Sequence, residues 1–144
     1  MNGKNRGFTL IELIVVILIL GILAAIAAPR FVDLTGQARI AAMNGLRAAV
    51  QSAATLANAL QVAQGLTANQ SVTIEGATVT MTNGYPSASG GGIDAAVRFD
   101  TATFSTTGTM TFQMKAQTTC NFTYAAAAFT TQPPVIGTVA TGGC

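Results

Sequence analysis

From Phe8 to Ala28 the chain reads FTLIELIVVILILGILAAIAA, twenty-one residues with a single charge, Glu12. As a helix at about 1.5 Å per residue, that run spans roughly 31 Å, enough to cross the hydrocarbon core of a bilayer. Being apolar on every side, it demands lipid or a bundle interior all round. A carboxylate inside such a segment is expensive unless something partners it. Whatever the chain folds into must house this helix in an apolar medium and give Glu12 a purpose.

Three readings of the N-terminus compete. A secretory signal peptide would use Lys4 and Arg6 as its basic start and Ala25-Ile26-Ala27 as its cleavage site, but Glu12 and Pro29 sit badly in it. An uncleaved anchor, its N-terminus kept cytoplasmic by Lys4 and Arg6, leaves Glu12 without a role. The third reading comes from a motif: a short polar leader ending in Gly7, then Phe8 and Thr9-Leu10-Ile11-Glu12-Leu13, with Pro29 after the apolar run. This string resembles the signature of type IV pilin precursors, shared by the pseudopilins of type II secretion.

The resemblance covers about the first 35 residues and implies a set of roles. A membrane prepilin peptidase would cut between Gly7 and Phe8, and the new N-terminal Phe8 would be methylated. Glu12 becomes the fifth residue of the mature chain. Cleavage frees an α-amino group that stays cationic, and opposite charges attract strongly away from water. Glu12 of one subunit can thus meet the Phe8 amine of a neighbour as subunits stack, a pairing that fixes register as much as it stabilises. The alternative is a contact with the amine of its own chain, which the helix dipole also favours. Gly21 and Pro29 are the weak points of the helix, with a kink expected at Pro29 and loosening of the segment on packing.

Beyond the membrane run the periodicity becomes amphipathic. Phe31, Leu34, Ala38, Ala42, Leu46, Ala49, Ala53, Leu56 and Leu60 recur every three or four residues, predicting a buried stripe on a helix that runs to Gln64 and stops at Gly65. After Gly65 the composition turns to Thr, Ser, Gly and Val. Ser71–Ile74 and Thr78–Thr82 read as strands joined near Glu75-Gly76. Asn83-Gly84-Tyr85-Pro86 is a turn signal, Ser87–Gly92 a loop, and Ile93–Phe99 a short helix with Asp94 near its start. The NGYP string resembles the mannose-sensitive haemagglutinin branch of the pilins. Met110, Phe112 and Met114 share one face of a strand, as do Cys120, Phe122 and Tyr124, and the two runs read as antiparallel neighbours. Val135–Val139, entered through Pro133-Pro134, fits only a sheet edge.

The expected fold is α+β: one long N-terminal helix packed on a C-terminal antiparallel sheet. Its divisions are a leader (1–7), a hydrophobic polymerisation helix (8–30), an amphipathic helix (31–65) and a sheet-bearing head (66–144). Cys120 and Cys144 are an even pair beyond a membrane signal, which suits an oxidising compartment. Reduced thiols are the alternative, and two thiols without histidine fall short of a zinc site. The pilin resemblance favours a disulfide closing a C-terminal loop.

No catalytic constellation is visible, and no cofactor is expected. With no histidine, the usual general base is missing. Asp94 and Asp100 alone make a weak calcium pair, and Asn121-Phe122-Thr123 fits a glycosylation sequon. The net charge of +2 is set by Lys4 and Arg6, the remaining five basic and five acidic residues balancing, so no surface for specific nucleic-acid binding is expected.

By resemblance, then, the chain is expected to be a structural pilus subunit for adhesion or motility. Its partners would be its own copies, the peptidase-methylase and an inner-membrane assembly platform. The precursor would sit in the inner membrane with its head in the periplasm, and the filament outside the cell. A secretion pseudopilin and a monomeric anchored binding module are the alternatives.

Overall fold

The computed structural model describes residues 7–144, the side chains of 28–33 excepted. Contacts divide the chain into two units, Met1–Gln37 and Ala38–Cys144. Helix α1, Leu10–Ala63, is assigned without a break through both. In the first unit its large apolar side chains from Leu10 to Ile26 are all exposed. Gly21 lies within unbroken helix, with no atom near where a Cβ would stand. Lys4, Arg6 and the side chains of Pro29 and Phe31 lie outside the described residues.

The end of α1 is built by its sequence. Gly65 adopts φ +65°, and its N–H donates to the Val62 carbonyl while that of Leu66 donates to Gln61. These two bonds satisfy carbonyls that a helix end leaves open, and a glycine reaches that conformation without a Cβ clash. The buried Gln61 side chain ties the following turn, donating to the carbonyls of Thr67 and Gln70.

The head sheet has the order β5 (Phe104–Thr107), β6 (Thr111–Met114), β7 (Gln117–Ala125), β8 (Val135–Ile136), all antiparallel. Met110, Phe112, Met114, Cys120, Phe122 and Tyr124 are buried against Met43, Leu46 and Val50 of α1, as the alternation of the two runs predicts. Phe112 faces Phe122 across the ladder with rings stacked at 5.2 Å, and Phe99 meets Phe112 edge-on. Two small hairpins complete the head: β1 (Val72–Ile74) with β2 (Ala77–Val79), and β3 (Met81–Thr82) with β4 (Tyr85–Pro86). Helix α2 is Ile93–Ala96. Both hairpin turns, Glu75-Gly76 and Asn83-Gly84, have two successive positive φ angles, the turn that matches strand twist.

Several expectations need correcting. The predicted stripe of α1 is rotated: of its members only Leu46 and Ala53 are buried, Leu60 is half-buried, and Leu34, Ala38, Ala42, Ala49 and Leu56 are exposed. The buried face is Met43, Leu46, Val50, Ala53, Ala54, Ala57 and Gln61. Alanine occurs all round this helix, so its spacing cannot phase the face; the bulk of Met43 and Val50 does. The run Thr78–Thr82 breaks at Thr80, whose N–H donates to the Gly91 carbonyl instead of a ladder partner. Tyr85-Pro86 belongs to a strand rather than the turn, β8 ends at Ile136, and β5 is a strand the sequence reading left out. After Phe104 its Ser105-Thr106-Thr107 run carries no apolar alternation to announce it.

Cys120 and Cys144 form a disulfide, with Cα atoms 4.8 Å apart. Two arginines of α1 pin the same segment: Arg47 donates to the carbonyls of Gly137 and Ile136, and Arg39 to that of Cys144. The disulfide closes a 25-residue loop, given the separation of 24, and chain-entropy reasoning puts its contribution at about 3.5 kcal/mol. Cys144→Ser should lower the head's melting temperature by roughly 15 °C or more. An unchanged melting curve, or two free thiols in the unfolded, unreduced protein, would contradict this.

Candidate functional site

Gly7, Phe8 and Thr9 precede the first turn of α1 in non-helical backbone, all three exposed. Thr9 caps the helix. Its hydroxyl oxygen accepts the Glu12 N–H at 3.3 Å, and Glu12 Oε2 accepts the Thr9 N–H at 2.9 Å and the Thr9 hydroxyl at 2.8 Å. This reciprocal arrangement is a capping box, satisfying two amides that a helix start leaves open. The sequence reading gave Thr9 no role, although Thr-x-x-Glu before an apolar run is its signal.

Both Thr9 contacts fall on one oxygen of the carboxylate. Glu12 Oε1 has no partner among the described residues. Glu12 borders a shallow apolar groove together with Phe8, Ile11, Val15 and Val16. The site thus combines a carboxylate held in a fixed rotamer, one open acceptor, and an apolar surround that would sharpen any charge contact once water leaves. Leu10–Ala27 is long and apolar enough to cross a membrane. At Gly7 a Cβ would meet nothing within 4 Å, so nothing within the described chain requires glycine there.

The remaining candidates are placed elsewhere. The NGYP string is a structural seam: Asn83 Nδ2 donates to the carbonyls of Ala127 and Ala128, and Asn58 of α1 to that of Gly84. The Tyr124 hydroxyl donates to the Pro86 carbonyl at 2.7 Å, and burial pushes its ionisation well above the usual tyrosine range. Asp100 is held below the usual carboxylate range by the Thr103 hydroxyl and the Ala102 N–H. No group of three metal-ligating side chains occurs among the described residues. Asn121 of the sequon is half-buried in β7 and donates its amide to the Thr118 carbonyl.

Residues 2–28 match the family described as the prokaryotic N-terminal methylation motif. The N-terminal segment carries this motif and is similar to those of type IV pilins. The chain is 59% identical over 54 residues to the major component of the narrow type IV pilus of Thermus thermophilus, covering 38% of this chain and 47% of that protein. It is 55% identical over 38 residues to the type IV major pilin of Myxococcus xanthus, covering 26% of this chain and 17% of the relative. A type IV major pilin of Neisseria gonorrhoeae is 55% identical over 40 residues, 28% of this chain and 24% of its own. The chain therefore spans about half the length of the first of these relatives and a quarter or less of the other two. No solved structure matches it significantly.

Within this pilin-type N-terminus the capping box makes a distinct prediction. Losing a capping hydroxyl costs a helix end about 1 kcal/mol. Thr9→Val should therefore speed amide exchange in the first turn of α1 roughly fivefold, leaving the head unchanged. Equal protection in both proteins would show that the box does not hold the helix start.

Proposed function

We propose that this chain is the structural subunit of a type IV pilus, and that its work is polymerisation rather than catalysis. The observation that carries the reading is the open Glu12 oxygen in an exposed apolar helix. Cleavage between Gly7 and Phe8 supplies the missing partner, a cationic amine on Phe8, four positions before Glu12. In a filament core, Glu12 accepts from the Phe8 amine of an adjacent subunit through Oε1 while Thr9 holds Oε2. The peptidase-methylase that makes this amine and an inner-membrane assembly platform are the proposed partners. The proposed topology places the N-terminus in the cytoplasm and the head in the periplasm until the subunit joins a surface filament for adhesion or motility. Gly21 and Pro29 are the proposed points at which the helix bends or loosens on packing.

A second observation supports packing of helix on helix. Within the head, the outward face of α1 carries Ala38, Ala41, Gly45, Ala48 and Ser52, all exposed. The only charges on α1 between Ala38 and Ala63, Arg39 and Arg47, turn instead to the C-terminal segment. A smooth, uncharged face of small residues lets helices approach closely.

N-terminal sequencing of the mature protein should begin at Phe8. Because the described chain leaves room at Gly7, Gly7→Ala should accumulate uncleaved precursor with a normally folded head; a mature start at Ala28 would establish a secretory signal instead. Filaments should disappear from a strain lacking the chain and return on complementation.

Variants of Glu12 separate charge from capping. Glu12→Leu removes both, whereas Glu12→Gln keeps a side chain that can complete the box. Both should insert in the membrane, since losing a charge makes the helix more compatible with lipid. Surface filaments should fall by about tenfold or more in each, as the neighbouring amine loses its counter-charge. Normal filaments from cleaved Glu12→Leu subunits would eliminate the pairing.

A further inference from the structure

The four-stranded sheet of the head ends in β8 on one side and β5 on the other, and the two edges are finished differently. The chain enters β8 through Pro133-Pro134, which have no N–H to offer, and Arg47 donates to the Ile136 and Gly137 carbonyls. At β5 the Lys115 N–H donates to the Thr103 carbonyl at 3.0 Å, while Phe104 lies opposite Met114 and Thr106 opposite Phe112. Residues of an antiparallel ladder alternate between bonding the partner strand and pointing their N–H and C=O away from it. Thr103, Ser105 and Thr107 therefore face β6, and Phe104 and Thr106 turn outward. The Phe104 N–H is taken by the Asp100 carbonyl at 2.9 Å. That leaves the Phe104 carbonyl and both backbone groups of Thr106 with no partner among the described residues. Sheet edges are commonly guarded by a charge or a proline, and Phe104-Ser105-Thr106-Thr107 carries neither.

A hollow of about 260 Å³ is lined by Phe99, Thr101, Phe104, Ser105, Thr106 and Lys115. Phe104, Ser105 and Thr106 are consecutive, and consecutive strand residues point to opposite faces, so a hollow they share lies along the rim of the sheet. The half-buried rings of Phe99 and Phe104 give it an apolar side, and Lys115 gives it a charge. Of the other basic residues in the head unit, Arg39 and Arg47 donate to backbone carbonyls and Arg98 to Glu75. Lys115 is exposed, with no ion pair and no side-chain hydrogen bond among the described residues. It feels the charge of Asp100, but that carboxylate is engaged by Thr103 and Ala102. The edge thus calls for backbone, the hollow for an apolar side chain, and Lys115 for a carboxylate. The chain itself is a poor source of that last group. Glu12 and Asp33 lie on α1, while Glu75, Asp94 and Asp100 bond to Arg98, Gly91 and Thr103.

We propose that the β5 edge docks an extended peptide of another protein, which adds to the sheet as a fifth strand. Its backbone bonds to the Thr106 N–H and to the Thr106 and Phe104 carbonyls. An apolar side chain enters the hollow beside Phe99 and Phe104, and an acidic one meets Lys115. Backbone bonds supply affinity in such strand addition, and the side-chain contacts supply choice of sequence. Neither Glu12 nor the outward face of α1 takes part, so the docking is independent of the filament reading.

The test uses the full chain in detergent micelles and a capped synthetic peptide of alternating threonine and valine with one glutamate near its C-terminus. The peptide should bind saturably and slow exchange of the Thr106 amide. Methylating alternate backbone nitrogens along one side of the peptide should weaken binding at least about tenfold, and along the other side far less. Thr106→Pro removes the outward N–H without touching the ladder, so it should weaken binding similarly and leave the head's melting unchanged. Lys115→Gln should cost about two- to fivefold, the worth of an exposed ion pair. If Thr106→Pro does not fold, the methylated peptides and Lys115→Gln still decide. No saturable binding, or binding indifferent to these changes, overturns the proposal. Filaments lost on Thr106→Pro from a chain that binds no peptide would make the occupant a second copy, and overturn it too.

Discussion

The carboxylate of Glu12 is divided between two tasks, and the proposed account depends on that division. One oxygen is committed to Thr9, closing the first turn of α1 and fixing the side chain's direction. The other has no partner among the described residues, and Glu12 borders an apolar groove with Phe8, Ile11, Val15 and Val16. In lipid, an open ionised acceptor is a standing penalty. In the proposed filament the same oxygen would be the place where a cation is needed, and the processed N-terminus of a neighbour would supply one. A penalty relieved only on assembly favours the assembled state without any enzyme at the contact.

The head answers a different requirement, that α1 be used on two sides. Its inner face buries Met43, Leu46 and Val50 under the aromatic pair Phe112 and Phe122. Its outer face is left smooth and uncharged. This division works because the two arginines that would otherwise roughen the helix reach round to hold the C-terminal segment. The Cys120–Cys144 disulfide anchors that segment a third way. The C-terminal segment is therefore tied to both layers of the head, to the sheet through β7 and to the helix through Arg39 and Arg47.

Much of this was legible in the residues, and the failures have identifiable causes. The alternation Met110-Phe112-Met114 and Cys120-Phe122-Tyr124 predicted the buried face of β6 and β7 because a strand with one wet face has period two. Gly65 and the two X-Gly turns were readable because only a few residues tolerate positive φ. The phase of α1 was not readable, since alanine on every face leaves the choice to the partner surface. Long-range polar ties were invisible for a similar reason: Arg39 reaching Cys144, or Asn83 reaching Ala127, depends on the tertiary fold. At the candidate site the motif points to Glu12, Gly7 and Phe8, while the role of Thr9 lies in its capping spacing to Glu12 and not in the motif.

A helical reconstruction of the filament bears most directly on the central claim. The account predicts that the Phe8 nitrogen of one subunit lies within about 4 Å of Glu12 Oε1 of an adjacent subunit, the ion-pair range, while Thr9 of the same chain still holds Oε2. Glu12 contacting only its own chain's Thr9 and Phe8, with the amines of adjacent subunits beyond that reach, would contradict it.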